Sequence, residues 1–480
     1  MKAFFSFFSI SVFFLFGCED KSEPEKVSPI VYSKEIQPIF NKSCALSGCH
    51  LHSDNLFKIA HGDTTLKLGS YSDLQIGTSD GGGVVVPFQP IFSSLFQHIN
   101  TSATNGPVAG PSMPLNRDPL PEKEINLIKK WIEEGAKNDA GTPMYSNPAL
   151  GSFLITNQGE DFLTQIDIGR KTISRIIPLF SPSWPVPQSA PEAPHYVAIT
   201  PDYKTAFTTL YTAGDVAKVN LVSRKVEKKL HVGGTPAHVE LFDNGKKALV
   251  SNFSGLNRLH IIDVETMTLI RDVTNLASSP HGLFIMADGK TAFTAGNVSD
   301  LLYKVNLETG SSQSFTLSGS TPPIGEVKPK LGPYQIRKSG DLLYISCKFS
   351  GEVRIWNIQS EQLIDSIKVG KNPLLMDINS LTNEIWVANQ GDKTISIINL
   401  STRSVSLLQG LPDQPHGIRF TPDGLYAGLT CENTTGTIDQ HHPTTRGGNP
   451  GVFVLINAVN KTILATRNVG SFAAGIDYIP

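Results

Sequence analysis

A prolyl phrase that returns six times between residues 194 and 425 constrains this chain more than any other feature. Pro194-His-Tyr-Val-Ala-Ile-Thr-Pro-Asp-Tyr-Lys204 is echoed by Pro236-Ala-His-Val-Glu-Leu-Phe-Asp-Asn-Gly-Lys246 and Pro280-His-Gly-Leu-Phe-Ile-Met-Ala-Asp-Gly-Lys290. Further openings stand at Pro333, Pro373 and Pro415, so successive starts lie 42, 44, 53, 40 and 42 residues apart. That spacing is the length of a four-stranded propeller blade. The texture agrees, with short alternating strands separated by Gly, Asp and Asn turns. In the first repeat the strands read HYVAIT, TAFTTL, VAKVNL and VEKKLHV. Six blades follow, and the leftover pieces make a seventh. Ala473–Ile479 is an opening strand without followers. Ser152–Thr156, Thr164–Ile168 and Thr172–Ile177 are three strands without an opener. Joining them closes the ring and leaves no open sheet edge. The prediction is an all-β, seven-bladed propeller over residues 145–480.

Phrases such as LYISCKFSGEVRIWNI and EIWVANQGDKTISIINL resemble the YVTN-type propeller repeats of bacterial exported proteins, over all seven blades. Cys347 and Cys431 occupy equivalent slots two blades apart, too far for a disulfide, and are expected to be buried apolar thiols.

Up-and-down blades assign the insertions to a face. The connections 181–193, 321–332 and 432–450 all fall at the end of the ring where the innermost strands begin. His195, His281 and His416, each directly after an opening proline, sit at that same end, around the mouth of the central channel. His238, one residue later in its blade, and His441 and His442 on the long connection are candidates to join them. Such a mouth suits a second metal, a redox cofactor or an anionic substrate. A repeat signature whose rings bond the neighbouring blade is the competing reading, since Ala237, Tyr334 and Leu374 fill other slots. The expectation is one decorated face and one plain one. No nucleophile elbow, zincin helix, phosphate loop or EF-hand occurs, so no catalytic constellation is named.

Ahead of the propeller, residues 30–140 form a second unit organised on Cys44-Ala-Leu-Ser-Gly-Cys-His50. Two thiols followed by an adjacent His have the form of a covalent haem attachment site, although the usual spacing is C-x-x-C-H. A local Cys44–Cys49 disulfide is the alternative. Ser33–Phe40 predicts a short helix, capped by Ser33, that leads into the motif. Pro121–Gly135 predicts an amphipathic closing helix with the stripe Ile125, Ile128, Trp131 and Ile132. Between them the Gly-, Ser- and Pro-rich segment offers little core, and a haem would supply the missing centre. Met113, in Gly-Pro-Ser-Met-Pro-Leu, is the one methionine between the two helices and carries a soft thioether suited to iron.

The order S-K-E-I-Q-P-I-F, C-x4-C-H, S-M-P-L and closing helix resembles the small cytochrome c-like domains of bacterial exported proteins. The resemblance implies a mainly α fold and one covalent haem c on Cys44 and Cys49. By it, His50 is the proximal ligand of the iron and Met113 the distal one. His52, His61 and His98 compete for the distal place.

The opening MKAFFSFFSISVFFLFGC has one Lys and an apolar run too short to span a bilayer comfortably, the form of an export signal over residues 1–18. Its end resembles a bacterial lipobox, with Cys18 as the lipidated residue, and residues 19–29 read as a flexible tether. The location implied is the periplasm or outer membrane, with the lipid as the membrane attachment. Lys+Arg 41 against Asp+Glu 43 leaves a net charge of −2, which argues against nucleic acid as a partner. The function implied is electron transfer between the haem and a redox partner protein or small molecule at the propeller's decorated face. The alternative is a non-enzymatic binding or scaffold propeller with a sensory or vestigial haem domain.

Overall fold

The computed structural model describes residues 29–51, 66–78, 81–180, 191–276, 279–318, 329–436, 444, 446 and 448–480. Cys18, His52, His61, His441 and His442 lie outside the described residues. Among the described residues no helix is long and apolar enough to cross a membrane.

The C-terminal part is a seven-bladed propeller of seven four-stranded antiparallel sheets. Every expected opening begins an innermost strand. These are β4 (Pro194–Ile199), β8 (Pro236–Phe242), β12 (Pro280–Ile285), β16 (Pro333–Ser339), β20 (Pro373–Asn379) and β24 (Pro415–Phe420). The seventh, β28 (Ala473–Ile479), pairs with β1 (Ser152–Asn157), so the C-terminal strand completes the sheet that the first three strands began. The seven innermost strands touch one another in an unbroken ring.

Two local devices hold that ring tight. Glycines let neighbouring inner strands approach: a Cβ on Gly282 would stand 2.4 Å from the Tyr334 carbonyl oxygen, and one on Gly475 2.7 Å from that of His195. Hydroxyls on the second strands then stitch blade to blade. Ser251 accepts from the His238 N–H at 3.1 Å and donates to the His281 carbonyl at 2.6 Å. Thr156 links Gly475 to His195 in the same way, and Thr209 links Tyr196 to Ala237. Ser346 links Gln335 to Leu374, and Thr430 links Gly417 to Ala474. Each bridge satisfies a buried N–H and a buried C=O that would otherwise be costly. It also fixes the height of the residue that follows, or stands in place of, the opening proline.

The described residues between Ile30 and Tyr145 gather round their own apolar cluster. The closing helix, Glu122–Glu133, buries Ile125, Ile128, Trp131 and Ile132, as its stripe requires. Burying side chains of this size contributes roughly 1.5–3 kcal/mol each. The entering helix differs from its prediction. A π-helical turn over Tyr32–Ile36 precedes α1 (Gln37–Ser43), Val31 is the N-cap, and Ser33 lies inside the turn with its N–H donated to Asp139 at 2.9 Å. The cap is reversed, because the Glu35 carboxylate reaches back to accept from the Val31 N–H at 2.7 Å. The middle segment also supplies more core than expected: Leu68, Leu74, Val84, Val85, Leu95, Phe96 and Ile99 are all buried in the cluster.

The N-terminal region packs on the outer edge of the blade that the C-terminal strand completes. Val86 and Phe92 meet Phe162, Ile173 and Ile176 of that blade, with the Phe92 and Phe162 ring centroids 4.8 Å apart. Gly83 N–H donates to Thr172 Oγ1 at 2.6 Å, Arg175 donates to the Met144 carbonyl at 3.0 Å, and the Arg224 guanidinium lies 4.1 Å from the Phe88 ring centroid.

Candidate functional site

The channel end at which the inner strands begin brings four histidines together. His195, His238, His281 and His416 are all buried. Ring centroids are 4.5 Å apart for His238–His281, 5.5 Å for His195–His416, 5.7 Å for His195–His281 and 6.3 Å for His195–His238. The sequence placed them around the mouth; the structure draws them inside it. Small residues in the alternate slots, Ala237 between blades carrying His195 and His281, and Ala474 between those carrying His416 and His195, leave room for the rings.

Three of the four rings are oriented from outside the cluster. The Nδ1–H of His281 donates to the Tyr334 carbonyl at 3.2 Å, and that of His416 to Glu432 Oε1 at 2.7 Å. His195 Nδ1 is 2.8 Å from Gln158 Oε1, which accepts. For His195 and His281, whose basicity burial lowers, the second nitrogen, Nε2, keeps the lone pair, because a neutral imidazole carries one proton. His238 differs. Both its ring nitrogens are buried without a hydrogen-bond partner, and its ring stacks on Tyr196 at 4.0 Å between centroids. Burial is the main cause that lowers the basicity of His195, to a pKa of about 3, with His416 adding to it. Burial likewise pushes His238 and His281 well below the usual imidazole value, and their histidine neighbours push further. Neutral imidazole is the form that binds metals.

Gln158, Tyr196 and Glu432 escaped the sequence reading. Gln158 and Glu432 lie on connections at this end of the ring, so topology alone could have brought them into view. Gln158 opens a short connection, ending at Asp161, whose far side joins Phe162 against Phe92. This connection and the strand residue that follows it therefore touch the histidine cluster and the N-terminal region in turn.

The opposite end of the channel is not plain, which corrects the expectation of a single decorated face. Counting four residues on from each opening position gives Glu240, Arg337, Asp377, Arg419 and Asp477 in five of the seven blades. Arg419 Nε lies 3.0 Å from Asp477 Oδ1, and Arg337 Nε 3.6 Å from Asp377 Oδ1. The other oxygens of these acids accept backbone N–H groups of the next inner strand, Asp477 from Ile199 at 3.1 Å and Asp377 from Phe420 at 2.9 Å. Burial raises the Glu240 carboxyl, opposed by Arg337 and Arg419. A pocket of ≈ 400 Å³ opens here, lined in part by Tyr203, Asp377, Arg419, Phe420, Asp477 and Tyr478.

In the N-terminal region, Cys44 is buried in the apolar cluster and Met113 packs against the same cluster. Cys44 and Cys49 are thiols, not a disulfide. Burial, then the neighbouring Cys49 and Glu124, pushes the Cys44 thiol up to about 12. His50 is half-buried, and its Nδ1–H donates to the Leu66 carbonyl at 3.2 Å. Burial lowers its basicity, opposed by the hydrogen bond to Leu66, and the field of His98 lowers it further. His98 in turn donates Nδ1–H to the Pro111 carbonyl at 2.8 Å, while its own carbonyl accepts from the Met113 N–H at 2.8 Å. Cys44 and Met113 thus share one apolar cluster, into which the helix Ser94–Ile99 that carries His98 buries Leu95, Phe96 and Ile99. Cys347 and Cys431 are buried thiols, as expected, opposite Pro333 and Pro415 in their sheets.

No protein-family model matches this sequence. No curated protein matches it either. Solved structures do resemble it. Hydrazine synthase of Kuenenia stuttgartiensis aligns with 16% identity and a TM-score of 0.49 over 59% of this chain and 88% of its own. A putative 6-phosphogluconolactonase from Bacteroides uniformis aligns with 14% identity and a TM-score of 0.51 over 69% of this chain and 100% of its own. A functionally unknown protein from Desulfotomaculum acetoxidans gives 11% identity and a TM-score of 0.52 over 68% and 99%. At these identities the likeness extends to the fold, and the chain is a seven-bladed β-propeller with a helical region on its outer edge.

Proposed function

We propose that this protein is an exported, lipid-anchored mono-haem c-type cytochrome whose propeller receives a redox partner or small molecule at its histidine-lined mouth. The observation that carries the reading is the setting of His50. It follows Cys49 directly, and its Nδ1–H is held by the Leu66 carbonyl, which turns the lone pair to Nε2. Metal-binding histidines are oriented in this way.

Cys44 and Cys49 would hold the haem covalently, and His50, through Nε2, and Met113 would be the ligands of its iron. Bound there, haem supplies reversible one-electron transfer. The chain's own part is to exclude water with the cluster of Phe40, Phe96, Ile128 and Trp131, and to fix the His50 ring. Contact between Phe92 and Phe162 supports a working link to the propeller, because the connection that ends just before Phe162 carries Gln158 of the histidine mouth.

The alternative, a binding scaffold with a sensory haem, draws support from the stacking of His238 on Tyr196 and of His281 on Tyr334, which packing alone would produce. Expression with a haem-attachment system tests the main reading. A purified protein whose haem survives acid acetone, and whose visible α-band sharpens on reduction, is expected. Met113→Ala should keep the haem and shift the reduced spectrum and potential. Colourless protein from competent cells contradicts the reading, and an unchanged Met113→Ala spectrum and potential transfer the distal role to a histidine or to no residue.

A further inference from the structure

We infer that the histidine end of the channel is a transition-metal site, with His195, His238 and His281 as its ligands. The inference deepens the reading of this end as a binding mouth and does not depend on haem in the N-terminal region.

Geometry comes first. One potential ligand atom from each of the three rings can be chosen so that all lie within 4.8 Å of one another. Zinc and similar ions bind imidazole at about 2.0–2.1 Å, so tetrahedral ligand nitrogens stand about 3.4 Å apart. Binding would therefore draw these atoms together by up to about 1.4 Å.

His238 is the second and independent observation. It is fully buried, and neither ring nitrogen has a hydrogen-bond partner. Buried polar atoms are nearly always satisfied, so two orphaned nitrogens on one ring, beside two other imidazoles, mark a place where something belongs. Packing explains the stack on Tyr196 but not the orphaned nitrogens, since an apolar ring would serve packing better.

Around the tripod stands the support that metal sites use. His195 and His281 have Nδ1 occupied by Gln158 and Tyr334, which leaves Nε2 as the ligating atom. The carbonyl of His281 and the N–H of His238 are joined through Ser251, and the carbonyl of His195 is held by Thr156. The backbones of all three ligands are therefore fixed by the blade-to-blade stitching. His416, ring-to-ring 5.5 Å from His195 and steadied by Glu432, stands ready as a fourth ligand or as a partner for a metal-bound molecule.

The donor set selects the ion. Three neutral imidazoles with no carboxylate or thiolate among them disfavour magnesium and calcium, which require oxygen. They favour the late first-row ions, copper above the rest on affinity, with zinc among the ions that imidazole suits. Copper is the occupant to which the site is assigned, with zinc as its redox-inert surrogate.

The test uses the full-length protein, stripped with a chelator and equilibrated separately with Cu(II) and Zn(II), then desalted for metal analysis. One retained copper per chain is expected, with nitrogen hyperfine structure in its paramagnetic resonance spectrum. His281→Gln and, as a second variant, His195→Gln should weaken copper binding at least 100-fold. His231→Gln, on an exposed outer-strand residue paired with Asp215, should bind as the parent does. Failure of the parent to retain either ion, or equal retention by the channel variants, overturns the proposal. Haem absorbance read on the same samples separates the two readings, because loss of haem with copper retained strikes only the cytochrome, and the reverse only this site.

Discussion

The two ends of the central channel are built from the same seven strands, two or three residues apart, yet they hold their polar groups differently. At one end Arg337 and Arg419 lie against Asp377 and Asp477, and these acids also accept backbone N–H groups from the next strand. Charge there serves to pin blade to blade. At the other end the pinning is done by second-strand hydroxyls, so the imidazoles are not needed for it. Their outer nitrogens are held by Gln158, Tyr334 and Glu432, and His238 is held by neither nitrogen. A polar group that the fold does not use for its own cohesion is the one available to a ligand.

The largest expected consequence is acid sensitivity at the histidine end. His195, His238 and His281 have folded-state values pushed below the ordinary imidazole value, chiefly by burial. A depressed histidine is neutral when folded and takes up a proton on unfolding below about pH 6.5, so stability falls as pH drops from there toward the folded value, about 3 for His195. Three such groups should contribute about 4 kcal/mol per pH unit within that window. Denaturant titrations at stepped pH read this directly. His281→Gln should remove about one third of the slope, and an unaltered slope would mean that these rings are not buried neutral.

Next comes the opposite end. Asp477→Ala leaves the Ile199 N–H without its acceptor and removes one partner of Arg419. A loss of about 2–3 kcal/mol is expected, as for a hydrogen bond to a charged group, with metal retention at the far end unchanged. Metal loss in this variant would erase the distinction between the ends.

A smaller effect is expected from Ser251→Ala. It strips the bridge between the His238 N–H and the His281 carbonyl, for about 1–2 kcal/mol of stability. Copper affinity should fall as well, because two ligand backbones lose their tie. An affinity equal to the parent's would show that the stitching positions blades without positioning the site.

Much of the propeller was legible because its signal is periodic. All six prolyl openings begin inner strands, and the orphan strand at Ala473 finds the three that lacked an opener. The histidines were legible as slots, since their repeat position fixes which end they occupy. What stayed hidden depends on contacts across blades. Gln158 is more than thirty residues before His195, and nothing local marks it as the partner of that ring. The charged end was within reach, for the same counting that found His195 and His416 finds Asp377 and Asp477 three or four residues further along each strand. In the N-terminal region periodicity served the closing helix well, and Ile125, Ile128, Trp131 and Ile132 are buried. It misjudged the entry, where Glu35 rather than Ser33 does the capping, because a side chain reaching backwards across a π-helical turn leaves no pattern in composition. It also underrated the core, since Val84, Val85 and Phe96 come from short pieces that no single window shows as apolar.

The measurement that tests the central claim most directly is the mass of the proteolytic peptide spanning Cys44 to His50, taken from protein made in haem-competent cells. The expected result is that peptide carrying the mass of one haem, with both thiols consumed. A peptide bearing two free thiols, or one lighter by two hydrogens through a Cys44–Cys49 disulfide, would contradict it.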